Sequence, residues 1–160
     1  MFELLSLDGS NGFRVSGAAE HDFSGMSVSD VGDVNGDGFD DIAIGAFNAF
    51  SGGGDIGTGG AYLLFGSSSG FAGSFELSHL NGTKGVNLKG VHFSDRAGTS
   101  VSGAGDVNGD GFDDIIIGAP GADFNGKDSG TSYVVLGRAS FAPDLDLSTL
   151  DGRTGLPASL

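Results

Sequence analysis

Short apolar runs alternate with polar, glycine-rich segments along the whole chain. Residues 42–46 and 115–119 are rich in isoleucine, and residues 62–65 combine tyrosine, leucine and phenylalanine. Runs of β-branched and aromatic residues bounded by Gly, Ser and Asn predict short strands joined by turns. No long window of helix-forming residues with apolar positions three and four apart is present. The pattern therefore predicts an all-β protein.

The predicted strands fall into two successive sets of about four. The first set is predicted at 26–31, 41–46, 61–65 and 75–80, with an additional strand at 86–89; the second is predicted at 99–104, 114–119, 132–136 and 145–150. Residues 62–65 and 115–117 are continuous apolar runs and not alternating ones. Because a half-exposed strand alternates polar and apolar residues, we expect both faces of these strands to be covered.

The two sets belong to an internal repeat. The sequence DVNGDGFDD occurs at residues 33–41 and again at 106–114, an offset of 73. Residues 7–12 match 80–85 at the same offset, 62–66 match 133–137 at 71, and 150–155 repeat the opening once more. We therefore divide the chain into a first repeat at 1–79, a second at 80–149 and the start of a third at 150–160.

Four-stranded sheets that are covered on both faces and recur at this spacing predict stacked antiparallel β-propeller blades, two in this chain. A two-sheet β-sandwich would also accommodate about eight strands. The sandwich, however, gives no reason for so close a duplication.

The charge is concentrated in the repeated motif. The formal net charge is −14, and 8 of the 21 acidic residues lie in the two copies of DVNGDGFDD, which we call the first aspartate loop (33–41) and the second aspartate loop (106–114). Such a density of carboxylates repels itself unless cations are bound. The same charge argues against nucleic acid as a partner. With no cysteine in the chain, disulfides and thiolate metal sites are excluded.

Each aspartate loop has oxygen-bearing side chains at positions one, three, five and nine, and glycine at positions four and six. Ca²⁺ takes six to eight oxygen ligands in irregular geometry, which suits alternate residues of a curled loop. We predict two calcium sites per chain, in which Asp40 and Asp113 hydrogen-bond the loop or face solvent. The predicted ligands of the first site are Asp33, Asn35, Asp37, Asp41 and the carbonyl of Phe39; those of the second are Asp106, Asn108, Asp110, Asp114 and the carbonyl of Phe112.

Other metals and other calcium motifs fit less well. Mg²⁺ prefers fewer protein ligands and more water, and zinc is disfavoured because Cys is absent and no His lies near either loop. An EF-hand requires an acidic residue at position twelve, where this chain has Ile44 and Ile117. Dockerin modules share the motif, but their copies are closely spaced and lead into a helix. Calcium-binding β-rolls repeat every nine residues, a period absent here.

The extended pattern Gly-x-Ser-Val, followed by the aspartate loop and Ile-x-Ile-Gly-Ala, resembles the FG-GAP repeat of integrin α-chain β-propellers and their bacterial relatives. The resemblance covers residues 7–137 and resumes at 150. Two positions depart from the family pattern: its Phe-Gly is Ser24-Gly25 and Ala97-Gly98 here, and its Gly-Ala-Pro becomes Gly45-Ala46-Phe47 in the first copy. The resemblance implies the same ligand positions and places each loop between the first two strands of a blade.

The resemblance also implies a function. We expect a calcium-binding scaffold for adhesion or protein–protein contact, secreted or at the cell surface as part of a larger protein. The alternative is an accessory propeller module of a secreted hydrolase, which an adjoining catalytic domain would favour. We expect no enzymatic activity, because His21, His79 and His92 stand in unrepeated contexts and no Gly-x-Ser-x-Gly or His-Glu-x-x-His motif occurs.

Closed propellers have four to eight blades, so two blades need others. We expect either a homo-oligomer that completes the ring or packing against the remaining blades of a longer parent chain, with residues 150–155 completing a neighbouring blade. A protein or glycan ligand stays open. No apolar run approaches the length of a membrane span, and no signal peptide is visible at the start of the sequence.

Overall fold

The computed structural model describes residues 3–50 and 56–151. Within these ranges the chain forms ten strands and three 3₁₀ helices. The strands are β1 (Arg14–Ser16), β2 (Ser27–Asp30), β3 (Ile42–Ala46), β4 (Gly60–Leu64), β5 (Ser74–Glu76), β6 (Gly85–Lys89), β7 (Ser100–Gly105), β8 (Asp114–Ala119), β9 (Thr131–Val135) and β10 (Asp144–Asp146). The 3₁₀ helices are Leu4–Ser6, Leu77–His79 and Leu147–Thr149.

Most of these strands form two antiparallel sheets. The first sheet has the order β10-β6-β4-β3-β2, in which β2, β3, β4 and β6 are antiparallel neighbours and β10 is added parallel to β6. The second sheet has the antiparallel order β7-β8-β9. Strands β1 and β5 form a separate parallel pair. The prediction of an all-β protein built from antiparallel blade-like sheets is confirmed.

The first sheet is covered on both faces, as its continuous apolar runs predict. Along β4, Leu63 and Leu64 point to opposite faces and neither is more than 1% exposed. Leu63 belongs to the larger apolar cluster, which includes Ile115 and Ile117 of the second sheet. Leu64 belongs to a smaller cluster that Phe13, Phe75 and other aromatic residues complete. The first sheet therefore lies between the second sheet and the β1–β5 unit.

The strands predicted at 75–80 and 145–150 are present in shortened form, but neither is the fourth strand of its own set's sheet. Residues 75–80 do not join the first sheet, because β5 pairs with β1 and continues into the Leu77–His79 helix. The fourth strand of the first sheet is instead β6, in the place of the additional strand predicted at 86–89. Its alternating residues Val86 and Leu88 are both fully buried, whereas β5 offers the sheet one apolar side chain. Likewise, residues 145–150 contribute β10, which adds to the first sheet.

The boundaries of the sequence repeats consequently do not coincide with the boundaries of the sheets. Strand β6 lies beyond the sequence boundary at residue 79 yet belongs to the first sheet. Strand β1 has the same position relative to β2 that β6 has relative to β7, since residues 14–16 and 87–89 are 73 residues apart. The predicted third repeat start, at 150–160, lies outside the described residues except for Leu150 and Asp151.

Candidate metal centres in the two aspartate loops

Each aspartate loop connects the first two strands of a sheet. The first joins β2 to β3, and the second joins β7 to β8. Glycines at positions four and six adopt the left-handed backbone conformation, with φ of 74° at Gly36, 90° at Gly38, 78° at Gly109 and 92° at Gly111. Side chains with a Cβ resist this conformation. The glycines therefore let nine residues curl back on themselves between two adjacent strands.

The aspartate at position one gathers the N–H groups of its own loop. In the first loop, Asp33 accepts hydrogen bonds from Asp37 N (3.0 Å) and Gly38 N (2.8 Å). In the second, Asp106 accepts from the backbone N–H groups of Gly109 (2.6 Å), Asp110 (3.0 Å) and Gly111 (2.9 Å). These donors hold the pKa of Asp106 below the ordinary aspartate value, because they favour the ionised carboxylate.

Positions three and five form a second set of bonds. Asn35 accepts from Asp37 N (2.9 Å) and donates its amide to Asp37 Oδ2 (3.0 Å), while Asp37 Oδ1 accepts from Phe39 N (3.0 Å). Asn108, Asp110 and Phe112 repeat the pattern at 3.0, 2.8 and 3.1 Å. Identical residues thus give the same local network in both copies.

The aspartate at position nine is buried and bridges two hairpins. Asp41 is fully buried and accepts from Val34 N (3.0 Å) and Gly66 N (2.9 Å). Burial raises the pKa of Asp41 to about 6; these two hydrogen bonds oppose the rise, and the charges of Asp37 and Asp33 add to it. Asp114 is also fully buried, with Val107 N and Gly137 N both at 2.8 Å.

The predicted ligands are brought into the same loop, but they do not form a ready cluster. Among the described residues, no group of three or more His, Cys, Asp or Glu side chains is arranged to hold a metal ion. The carboxylates instead accept hydrogen bonds from backbone N–H groups. Their oxygen chemistry fits a hard cation such as Ca²⁺, and each of these carboxylates has at least one oxygen with capacity for a further partner. The loops therefore have suitable donors, which would have to converge on binding.

Position eight has a role that sequence reasoning missed. Asp113 belongs to the second aspartate loop but forms hydrogen bonds with the first. Its Oδ2 accepts from Asp33 N (2.9 Å), and its backbone N–H donates to Asp33 O (3.2 Å). Asp40, the equivalent residue of the first loop, is exposed. The sequence offered one signal for this role: position eight is aspartate in both copies, although no ligand role is predicted for it.

The remaining titratable candidates lie at the surface. His21, His79 and His92 are all exposed. None of the described helices has the length and apolar character that crossing a membrane requires.

Comparison with known proteins identifies the repeat. The FG-GAP repeat family model matches residues 27–64 and 97–135, segments that each contain one aspartate loop and the strands on both sides of it. The chain is 34% identical over 99 residues to integrin alpha-PS5 of Drosophila melanogaster, covering 62% of the chain and 9% of that protein.

Two further integrins extend the likeness. Integrin alpha-5 of Xenopus laevis is 35% identical over 109 residues, covering 68% of the chain and 10% of that protein. Integrin alpha ina-1 of Caenorhabditis elegans is 37% identical over 128 residues, covering 78% of the chain and 11% of that protein. The chain thus spans about a tenth of the length of these relatives. Together with the two antiparallel sheets and their loops, these matches show that the chain belongs to the FG-GAP repeat family of integrin α-like β-propellers.

Proposed function

We propose that the chain is a calcium-stabilised β-propeller segment that serves as an extracellular scaffold for adhesion or protein–protein contact. The proposal assigns it no catalytic role. The integrins to which it is similar support the scaffold role and the extracellular or cell-surface setting. The observation that carries the calcium proposal is the fully buried aspartate at the end of each loop, Asp41 and Asp114.

The electrostatics of the first loop favour a bound cation. Burial is the main cause that raises the pKa of Asp41, and the nearby charges of Asp37 and Asp33 add to the rise, so the ionised form of Asp41 is disfavoured. A divalent cation reverses this effect, because an opposite charge nearby favours the ionised carboxylate. The cation's own charge would also offset part of the net charge of −14.

Binding would require the predicted ligands of each loop to converge. Asp33 and Asp37 would turn one carboxylate oxygen each toward the ion, joined by Asn35, the carbonyl of Phe39 and an oxygen of Asp41. In the second loop, Asp106, Asn108, Asp110, Phe112 and Asp114 would act in the same way. Ca²⁺ tolerates such irregular geometry, and extracellular calcium modules bind with dissociation constants of about 10⁻⁴–10⁻³ M.

Calcium removal tests the proposal. A ligand that binds only the folded state at about ten times its dissociation constant stabilises by roughly 1.4 kcal/mol per site. Each kcal/mol shifts the melting temperature of a chain this size by about 2–4 °C. We therefore expect the chelator-treated protein to melt several degrees below the calcium-loaded protein, as measured by circular dichroism or calorimetry. Equal melting temperatures would contradict a structural role for calcium.

Single-site variants locate the ions. Asp37→Ala and Asp110→Ala each remove a central carboxylate, and each is expected to reduce the calcium stoichiometry by one in a calorimetric titration. Asp40→Asn is the matched control, because Asp40 belongs to the same loop but is not a proposed ligand. Retention of full calcium stoichiometry in Asp37→Ala would show that calcium, if bound, is not held as proposed.

A further inference from the structure

The two sheets meet at a junction that combines hydrogen bonds and ring packing. The Asp113 carboxylate accepts from Asp33 N, and Asp33 O accepts from Asp113 N. Nearby, Arg138 N donates to Val34 O at 2.9 Å. The ring of Phe112 lies directly against Gly36, where a Cβ would collide with it. Each of these contacts joins the first aspartate loop to the second loop or to the residues that follow β9.

Behind these bonds, the junction is apolar. The first sheet contributes Ala43 and Leu63, and the first aspartate loop contributes Val34, all 0% exposed. They share one cluster with Ile115 and other residues of the second sheet. Ser27 Oγ closes the far end of the junction by donating to Gly98 O at 3.0 Å.

The face of the second sheet that corresponds to the first sheet's side of the junction is exposed. We call this the forward face. Val107, which corresponds to Val34, is 57% exposed, and Val134, which corresponds to Leu63, is 40% exposed. Gly109 corresponds to Gly36, but a Cβ built on it would meet nothing within 4 Å. The forward face therefore has the residues of a junction without the sheet that covers one.

The first sheet leaves open part of the face that points away from the second sheet, beside β2 and the first aspartate loop, where the β1–β5 unit does not cover it. We call this the rear face. Val28 is 66% exposed where the corresponding Val101 is 9% exposed, and Ile42 is 37% exposed where Ile115 is 0% exposed. Phe39, which corresponds to Phe112, is 41% exposed. Asp40, which corresponds to the bridging Asp113, is exposed beside it.

We infer that a second copy of this chain docks head-to-tail, with its rear face on the forward face of the first. The internal junction supplies the template, because both open faces are built from the same repeat positions. In the docked pair, the Asp40 carboxylate accepts from Asp106 N, and the Phe39 ring covers Gly109. Val28 and Ile42 of the second copy cover Val107 and Val134. This deepens the scaffold proposal by naming a partner, and it rests on the propeller assignment and not on calcium.

Strand positions agree with this arrangement. Strand β6 lies beside β4 in the first sheet and leads into β7. Strand β1 has the equivalent place before β2, so a docked copy brings its β1 to the outer edge of β9. In the described part of the chain that edge of β9 has no strand partner.

The contact is heterologous, because two different faces meet. Repeated head-to-tail contacts of this kind close into a ring when the rotation between copies allows it. Since each copy carries a net charge of −14, association is expected to strengthen with ionic strength as salt screens the repulsion.

The test uses one exposed substitution on each face. Val28→Asp alters the rear face and Val107→Asp alters the forward face, and neither side chain is buried within the chain. Ile56→Asp, at a similarly exposed position between β3 and β4 (56% exposed), is the matched control. Sedimentation velocity over a wide concentration range measures mass, and calcium-loaded and chelator-treated samples are compared. Circular dichroism confirms that each variant is folded.

We expect the unaltered chain and Ile56→Asp to associate with increasing concentration. Each face variant alone is expected to bind at least about 100-fold more weakly, because an unpaired carboxylate would be buried in an apolar contact. An equimolar mixture of Val28→Asp and Val107→Asp restores one junction, between the intact rear face of one and the intact forward face of the other. That mixture is expected to form dimers and nothing larger.

Three results would overturn the inference: a monomeric unaltered chain at all concentrations, undiminished association of either face variant, or no dimer in the mixture. These outcomes are separate from the calcium proposal, which is tested by the melting temperature and the stoichiometry of calcium and not by mass.

Discussion

Tyr62 and Tyr133 occupy the same position in the two repeats, but their hydroxyl groups have different surroundings. The Tyr62 hydroxyl donates to Asp22 Oδ2 at 2.9 Å, and Asp22 is itself only 5% exposed. Within the described residues, the buried Tyr133 hydroxyl has no hydrogen-bond partner. Burial raises the pKa of both phenols, so both remain neutral at physiological pH. Identical residues therefore have different energetic roles in the two copies.

This pair gives a prediction with an internal control. Tyr62→Phe leaves the buried Asp22 carboxylate without one of its donors, and it is expected to lower the free energy of unfolding by about 1–3 kcal/mol. Tyr133→Phe removes a hydroxyl that is already unpaired, so it is expected to be neutral or slightly stabilising. Urea unfolding measures both variants. Equal losses would show that the Tyr62–Asp22 bond contributes nothing specific.

At the scale of elements, β10 is attached to the edge of the first sheet by a polar contact. Asp144 accepts from Asn87 Nδ2 at 2.8 Å and pairs with Lys89 Nζ at 3.0 Å. Asn87 and Lys89 together hold the pKa of Asp144 below the ordinary aspartate value of 3.8. Since the folded pKa is depressed, the contact stabilises the folded state above pH 3.8 and is lost as the pH falls through the folded pKa.

Asp144→Asn is accordingly expected to reduce stability at neutral pH by about 0.5 kcal/mol, the scale of an exposed ion pair. The difference from the unaltered protein should shrink as the pH falls below 3.8. Unfolding in urea at several pH values measures it. Ser74→Ala, at the equivalent position in β5, removes a hydroxyl that accepts a hydrogen bond from the Arg14 guanidinium; because neither group titrates in this range, the variant should show no such pH dependence. A constant difference at all pH values would contradict the assigned charge effect.

At the scale of the whole molecule, the junction between the sheets determines how the repeats combine. Gly36 and Gly109 have the same place in the two loops and nearly the same φ, 74° and 78°. Their surroundings differ, since Gly36 lies under the Phe112 ring and Gly109 has open space. Local strain is thus matched at the two glycines, and only the junction distinguishes them.

Gly36→Ala and Gly109→Ala are each expected to lower the free energy of unfolding by about 1 kcal/mol, because alanine is strained in the left-handed backbone conformation. Gly36→Ala should lower the free energy of unfolding by roughly a further 1–2 kcal/mol, because its Cβ must displace the Phe112 ring. Both variants are compared by thermal unfolding in the Val28→Asp background, which keeps the forward face uncovered. Equal destabilisation would mean that the ring yields without cost and that the junction is loosely packed.

The sequence by itself determined the repeat, the aspartate loops and most strands, because these features depend on local interactions. Positive φ at Gly36 and Gly38 and the N–H groups gathered by Asp33 lie within one nine-residue loop. Identical loops therefore fold alike, and the motif predicts them. The continuous apolar runs likewise predicted burial on both faces of β4.

Tertiary structure alone decided which strands share a sheet and which residues join the loops to the rest of the molecule. Strand β6 replaced the predicted fourth strand because Val86 and Leu88 bury two apolar side chains against neighbours distant in sequence. The bonds of Asp41 to Gly66 and of Asp113 to Asp33 span 25 and 80 residues. Such contacts depend on where sheets lie after packing, which the spacing of residues along one loop does not specify.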